Sequence, residues 1–200
     1  MRKTIVFDFG GVLVDWNPRY FYRSVFSSEK EMEWFLANVC NTPWNLRHDR
    51  GIRFEDNWQE LAQKYPQYET QIKQYYTGWP QMLNGEIAGS HAVVDELKAR
   101  GYTLYGLTNW SAQTFPIALK RFEVLRKMDG IVMSGEEKCI KPEPEIYHIL
   151  LDRYHLQAAD CVFIDDNSTN TAAAAALGFD TIVFKDAGQL RSELQVRHIL

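Results

Sequence analysis

The stretch Ile5-Val6-Phe7-Asp8-Phe9-Gly10-Gly11-Val12-Leu13 decides how this chain folds. A short apolar run ends in a carboxylate at Asp8, and two glycines follow at once. In open α/β sheets, ligands collect beyond the carboxyl ends of the strands, so a carboxylate there is poor packing chemistry but good site chemistry. Because glycine lacks a Cβ atom, the backbone after Asp8 can approach a ligand closely or adopt a positive φ. The stretch predicts a buried strand with a functional side chain at its end.

Further apolar runs follow, most of them separated by helical patterns, and polar residues stand at the ends of two of these runs. We predict strands at Thr4–Asp8, Tyr102–Thr108, Gly130–Ser134, Cys161–Asp165 and Thr181–Phe184. Nearly continuous apolar strands that alternate with helices are typical of a parallel sheet covered on both faces. The sequence therefore predicts an α/β fold of the Rossmann-like kind.

Residues 14–85 are far more than a crossover between the first two strands requires. Their pattern is helical: Asn17-Pro18 is typical of a helix start, and apolar residues recur at helical spacing through the segment. We expect a core domain formed by residues 1–14 and 86–200. An inserted α-helical domain, residues 15–85, is expected to fold over the carboxyl edge of the sheet.

Composition sets limits on partners and compartment. Apolar residues make up 46% of the chain, and the formal charge is −4, which is ordinary for a soluble protein and argues against a nucleic-acid or anionic-membrane surface. The three cysteines show no metal-binding or redox spacing and are expected to be reduced thiols. The first apolar run is too short for a signal peptide. We expect a cytoplasmic protein that is a monomer or a weak homodimer.

The carboxylates predict a nucleophile and a metal site. An aspartate such as Asp8 can attack an electrophilic phosphorus or carbon, and water then releases the product. A phosphoryl group repels a carboxylate, so the site needs a cation, and the oxygens of Asp165 and Asp166 suit Mg²⁺. We assign Asp8, Asp166 and the carbonyl of Gly10 as direct ligands. Asp165 is expected to lie behind these ligands or to reach the ion through a water molecule.

Three other residues are candidates for contacts with the substrate. Thr108 and Asn109 end the second strand, where a hydroxyl and N–H groups can hold phosphate oxygens. Lys141 can neutralise charge that develops in the transition state. Each of these pieces, taken alone, also has a purely structural interpretation, such as helix capping or a solvated lysine. The order in which they occur together favours the functional one.

These residues resemble the four motifs of the haloacid dehalogenase-like (HAD) hydrolases. The resemblance covers the whole chain and rests on Ile5–Leu13, Leu107-Thr108-Asn109, Lys141-Pro142-Glu143-Pro144-Glu145-Ile146-Tyr147 and Phe163-Ile164-Asp165-Asp166-Asn167. It implies a core with strand order 5-4-1-2-3, a helical cap of type C1 at residues 15–85, and a phosphatase reaction. The subgroup is similar to bacterial phosphatases that include α-D-glucose-1-phosphate phosphatase.

The chain departs from the family pattern at one position. Phosphatases of the family usually carry a second aspartate two residues after the nucleophile, where it protonates the leaving group, and here that residue is Gly10. Losing a positioned acid typically costs about 10²–10⁴ in rate. The glucose-1-phosphate-type members share the glycine, so the change does not by itself imply an inactive enzyme.

The run Trp44-Asn45-Leu46-Arg47-His48-Asp49-Arg50-Gly51 is the candidate specificity element. In capped relatives a loop at this place reaches the substrate, whereas the structural interpretation is a solvated polar turn. Arg47, His48 and Arg50 are the candidates for substrate contact. Trp110 either lines the pocket or packs.

Three functions from different classes remain. The leading one is a Mg²⁺-dependent phosphatase that acts on a small phosphorylated metabolite, such as a sugar phosphate, through an aspartyl-phosphate intermediate. The second is a metal-free 2-haloacid dehalogenase, which the paired carboxylates at Asp165-Asp166 disfavour. The third is a non-catalytic protein that binds a phosphorylated ligand, which Gly10 favours.

Overall fold

A five-stranded parallel sheet forms the centre of the computed structural model, which describes residues 4–200. The five strands are β1 Thr4–Phe7, β4 Leu104–Thr108, β5 Gly130–Met133, β6 Cys161–Asp165 and β7 Asp180–Val183. They lie side by side in the order β5-β4-β1-β6-β7. When these five strands are numbered 1 to 5 along the chain and read from the β7 edge, this is the predicted order 5-4-1-2-3. It brings the carboxyl ends of β1, β4 and β6 together.

Apolar side chains cover the sheet on both faces, as the continuous apolar strands predict. Along β1, Ile5 and Phe7 belong to one apolar core and Val6 to the other. Helices α6 (Ser90–Ala99) and α11 (Ala187–Val196) supply residues to the first core, and helices α9 (Pro144–Arg153) and α10 (Ser168–Ala176) to the second. The helices that follow the core strands are α6 Ser90–Ala99, α7 Phe115–Arg121, α8 Ser134–Glu137, α9 Pro144–Arg153, α10 Ser168–Ala176 and α11 Ala187–Val196.

A short two-stranded antiparallel sheet connects the insert to the core. Strand β2, Val14–Trp16, pairs with β3, Leu83–Glu86, so the chain leaves the core and returns to it at one place. Between them lie α1 Pro18–Tyr22, α2 Glu29–Asn38, α3 Thr42–Asp49, α4 Phe54–Lys64 and α5 Glu69–Thr77. The predicted helix start is confirmed, because the Asn17 side chain accepts a hydrogen bond from the Arg19 N–H. The domain boundaries at residues 15 and 85 stay a prediction.

The expected loop or turn in the insert is a helix instead. Helix α3 extends through most of the run that carries the three substrate candidates. The Asn41 side chain caps it by accepting a hydrogen bond from Trp44 N–H, and Pro43 lies in its first turn. An asparagine followed closely by a proline is a helix-start signal that the charged residues of this run concealed.

The cysteines and the lengths of the helices bear on the compartment of the protein. Cys40, Cys139 and Cys161 are free thiols, as expected. Within residues 4–200, no helix combines the length and apolar character that crossing a bilayer requires.

Candidate active site

Three carboxylates from two strand ends converge on one point. Asp8 directly follows β1, Asp165 ends β6 and Asp166 comes next, and one oxygen from each lies within 4.8 Å of the others. Asp8 and Asp165 are buried and Asp166 is exposed. Hydrogen-bonded pairing of the parallel strands β1 and β6 produces this convergence, because their carboxyl ends lie at the same edge of the sheet.

Lys141 is the cation at this point, and it is almost completely buried. Its Nζ lies 2.9 Å from Asp8 Oδ1 and 2.7 Å from Asp165 Oδ2, and it donates a further hydrogen bond of 2.8 Å to the Leu107 carbonyl. Burial opposes its charge, but Asp8 and Asp165 together raise the pKa of Lys141 above its ordinary value. The ammonium group is therefore charged and held by three oxygens.

Three carboxylates lie beside one ammonium group, and the pKa values of two of them, Asp8 and Asp166, are raised. Burial raises the pKa of Asp8 to about 7, Lys141 opposes the rise, and Asp165 and Asp166 add to it. Burial and the neighbouring Asp165 also raise the pKa of Asp166. A hard divalent cation takes oxygen ligands of this kind and would lower both pKa values, so the residues present fit Mg²⁺.

Asp165 is held in this cluster by protein hydrogen-bond donors, and its indirect part in metal binding stays a prediction. It accepts hydrogen bonds from Lys141 Nζ, from the Asn167 N–H and from the side chain of Asn170. Its oxygens are thus occupied by protein donors. Asp166 projects from the loop between β6 and α10 and is exposed, so it is the better placed of the two for direct coordination.

Glycine at position 11 lets Asp166 approach the end of β1. Gly11 has φ +76°, and a Cβ atom added to it would lie 2.8 Å from Asp166 Cγ. At Gly10, by contrast, an added Cβ would meet no atom within 4 Å. The first glycine leaves open space beside Asp8, and the second provides the close approach.

Asn109 and Thr108 have different positions at the end of β4. The Asn109 amide donates to the Lys141 carbonyl and accepts from the Lys141 N–H at 2.8–2.9 Å, so it fixes the turn that carries this lysine. Asn109 also lines the cavity described below. Thr108 is completely buried, and its hydroxyl has no hydrogen-bond partner in the structure. An unpaired buried hydroxyl at this place is available to a bound oxygen.

A cavity of about 110 Å³ lies between the core and the insert, beside these residues. Part of its wall is aromatic, formed by Trp16, Phe54, Trp79 and Trp110. The remainder is polar or small, formed by Gly10, Asn45, Asp49, Asn109, Ser111 and Thr114. Trp110 does both things that the sequence left open, because it lines the cavity and also stacks edge-on against Trp79 at 5.5 Å.

The three charged candidates of the insert, Arg47, His48 and Arg50, lie outside this cavity wall, and their contact with a substrate stays a prediction. His48 is completely buried, with Nδ1 bonded to the Ile52 carbonyl and Nε2 to the Asn57 amide. Arg47 forms an exposed ion pair with Glu60. Arg50 forms an ion pair with Glu143 of the core. The helical periodicity of α3 sends these side chains away from the cavity.

Polar contacts hold the insert against the core. Arg50 pairs with Glu143, whose carboxylate also accepts a hydrogen bond from the Ile140 N–H. Gln113 accepts from the Phe54 N–H at 2.7 Å and donates to the Glu55 carboxylate at 2.9 Å. These contacts hold the insert over one side of the cavity, which stays partly open to solvent.

Asp49 is the residue of the site that the sequence interpretation missed. It ends α3, is 9% exposed, and lines the cavity together with Gly10. Burial raises the pKa of Asp49 to about 7, with Asp8 adding to the rise and Lys141 opposing it. It stands between the two arginine candidates in a run of charges, and only its position in the helix separates it from them.

Comparison with known sequences identifies the family. The model of the "Haloacid dehalogenase-like hydrolase" family matches residues 5–184. The chain is 28% identical to the sesquiterpene phosphatase astK of Aspergillus oryzae, over 88% of this chain and 86% of that protein. It is also 28% identical to the (S)-2-haloacid dehalogenase 4A of Burkholderia cepacia, over 44% of this chain and 38% of that protein.

Among solved structures, the fold is similar to that of a HAD family enzyme from Bacteroides thetaiotaomicron in complex with magnesium and inorganic phosphate. The TM-score is 0.70 at 22% identity, and the match covers 93% of this chain and 96% of the other.

Proposed function

The chain belongs to the haloacid dehalogenase-like hydrolases, and we propose that it is a Mg²⁺-dependent phosphatase of small phosphorylated molecules. The observation that carries the proposal is the convergence of Asp8, Asp165 and Asp166 beside the buried ammonium group of Lys141. A metal-free reaction at carbon has no use for the additional negative charge. A relative that matches 88% of this chain is a phosphatase, which supports the same choice.

Asp8 is the proposed nucleophile. Its Oδ1 accepts a hydrogen bond of 2.7 Å from the Phe9 N–H and an ion pair from Lys141, so one oxygen is fixed and the other is left for attack. Attack on phosphorus forms an aspartyl-phosphate and releases an alcohol, and water then hydrolyses the acyl phosphate. Lys141 stabilises the charge on the phosphoryl oxygens, because its ammonium group is positioned before the reaction begins.

Asp8, Asp166 and the Gly10 carbonyl would hold Mg²⁺, with Asp165 behind them. When bound, the cation supplies Lewis-acid stabilisation of phosphoryl charge and lowers the repulsion between substrate and nucleophile. The similar fold from B. thetaiotaomicron was crystallised with magnesium and phosphate, which supports this part of the proposal. The orphaned hydroxyl of Thr108 at the neighbouring strand end is a donor for a phosphate oxygen.

The cavity supports a compact organic group on the substrate. A volume of about 110 Å³ with several tryptophans and a few amide and hydroxyl groups suits a small ring whose faces stack on aromatic side chains. A sugar phosphate fits this description, since sugars present apolar faces and hydroxyl edges. The insert covers one side of the cavity and so limits the access of bulk water to a substrate bound there.

The test is hydrolysis of p-nitrophenyl phosphate and of a panel of sugar phosphates, with and without Mg²⁺. We expect wild-type turnover that EDTA abolishes and Mg²⁺ restores, and we expect Asp8→Asn to lose at least about 10³-fold because the nucleophile is gone. Asp56→Asn makes the same chemical change at an exposed position of α4 and should retain activity.

Full activity in EDTA or in Asp8→Asn would contradict the mechanism. Chloride release from 2-chloropropionate, without phosphate release from any substrate, would favour the dehalogenase instead. Phosphate-dependent stabilisation with no turnover would favour a binding protein.

A further inference from the structure

The proposed reaction needs a proton donor that the residues assigned so far do not provide. An alcohol oxygen that leaves phosphorus as an alkoxide is strongly basic, and a positioned acid accelerates its departure. Asp8 is the nucleophile and Asp166 faces the metal site. Asp165 is occupied by Lys141 and Asn170. Each of the three carboxylates of the cluster therefore has another role.

The cavity wall contains one titratable side chain among the described residues, and it belongs to the insert. Asp49 lies at the C-terminal end of α3 and shares the wall with Gly10, where the space beside the backbone is open. We propose that Asp49 is the catalytic proton donor to the leaving-group oxygen. This inference rests on the proposed phosphatase function.

The environment of Asp49 suits an acid rather than a structural carboxylate. Its one hydrogen bond in the structure is a long one, 3.4 Å from the Asn45 amide, and no lysine or arginine among residues 4–200 pairs with it. A buried carboxylate without a cation is costly when ionised, so the neutral form is favoured. Its pKa of about 7, raised by burial and by Asp8, agrees with this geometry.

The proton balance closes over the two steps. As the bond from phosphorus to the leaving oxygen breaks, the Asp49 carboxyl gives its proton to that oxygen, and the product leaves as a neutral alcohol. Asp49 remains as a carboxylate. In the second step it takes a proton from the water that attacks the aspartyl-phosphate, which restores the acid. The insert therefore supplies chemistry as well as enclosure.

A series of aryl phosphates tests the role, because these substrates differ mainly in the basicity of the leaving oxygen. p-Nitrophenolate leaves readily without a proton, whereas phenolate and p-methoxyphenolate benefit from one. We would measure kcat/KM with Mg²⁺ for p-nitrophenyl, phenyl and p-methoxyphenyl phosphate in the wild type, Asp49→Asn and Asp56→Asn. kcat/KM reports the step in which the aryl group leaves.

We expect the kcat/KM of Asp49→Asn to stay within about threefold of the wild type for p-nitrophenyl phosphate and to fall about 10²-fold or more for phenyl phosphate, because kcat/KM does not include the second step. The retained first activity shows that the variant is folded. Asp56→Asn should follow the wild type throughout, because its carboxylate is exposed on α4.

An equal loss on all three substrates, or no loss on any, overturns the assignment of Asp49. Aryl phosphates carry no sugar hydroxyls, so a residue that only orients a hydroxyl would give the second result. Absence of Mg²⁺-dependent turnover in the wild type overturns the phosphatase function itself and the proton donor with it. The two failures are therefore distinct.

Discussion

The buried ring of His48 should make this protein lose stability as the pH falls below neutrality. The ring is completely buried, stacked on Phe54 at 3.7 Å between centroids and edge-on to Trp44 at 4.6 Å. Its Nε2 faces the Asn57 side-chain amide nitrogen, which is a donor, and its Nδ1 faces the Ile52 carbonyl. This pattern fits a neutral ring with one proton on Nδ1 and leaves no acceptor for a second.

The size of the effect follows from the pKa. Burial lowers the pKa of His48 from 6.5 to about 4. Between these values the unfolded chain binds more protons than the folded one. The contribution of His48 to the free energy of unfolding is therefore fully present above the unfolded pKa and decreases as the pH falls towards the folded pKa. For these two values, lowering the pH from about 7.5 to about 5 removes on the order of 2 kcal/mol.

Urea unfolding followed by tryptophan fluorescence measures this loss. Other groups titrate in the same range, including Asp8 and Asp49, so the wild type is compared with His48→Gln at both pH values. We expect the wild type to lose on the order of 2 kcal/mol more than the variant on acidification, whatever the variant's stability at neutral pH. Equal pH dependence in the two proteins would refute the reasoning.

Two glycine substitutions test the packing at the end of β1 and behind it. Gly11→Ala should raise the Mg²⁺ concentration for half-maximal p-nitrophenyl phosphate turnover about tenfold or more, because the new methyl group displaces Asp166. Gly178→Ala is its control, since Gly178 also has a positive φ, +94°, and its Cβ would make only an ordinary contact with Ala158 at 3.8 Å. Equal Mg²⁺ dependence in both variants would contradict the explanation. Gly106→Ala should lower the free energy of unfolding by about 1–3 kcal/mol, because its Cβ would overlap the buried Phe9 ring. Urea unfolding checks this, and stability unchanged from the wild type would show that the ring has room to move.

The sequence predicted the core and the convergence of its charged residues because both follow from strand order. The run that ends at Asp8 and the pair Asp165-Asp166 had only to close neighbouring parallel strands to meet, and they do. Lys141 was predicted to neutralise charge at this site, and its Nζ lies 2.9 Å from Asp8 Oδ1. Its catalytic role stays a prediction.

The insert was predicted less well, because its side chains take their roles from tertiary packing. Nothing in a run of alternating charges shows that Asp49 is buried while Arg47 reaches solvent and Arg50 pairs with the core. The turn expected there would have left all of them exposed. Only the docking of α3 against the sheet edge separates them, and local sequence does not encode that docking.

The pairing of β2 with β3 affects how the insert of such a protein can change in evolution. Val14 is paired with Glu86, so the two ends of the insert are already joined where they leave the sheet. Lengthening a loop whose ends are held together costs little additional entropy. The segment between them can therefore be exchanged for another without changing the register of the five parallel strands. A new insert would bring new substrate preferences and its own proton donor in place of Asp49, while Asp8, Lys141 and Asp166 keep their positions at the sheet edge.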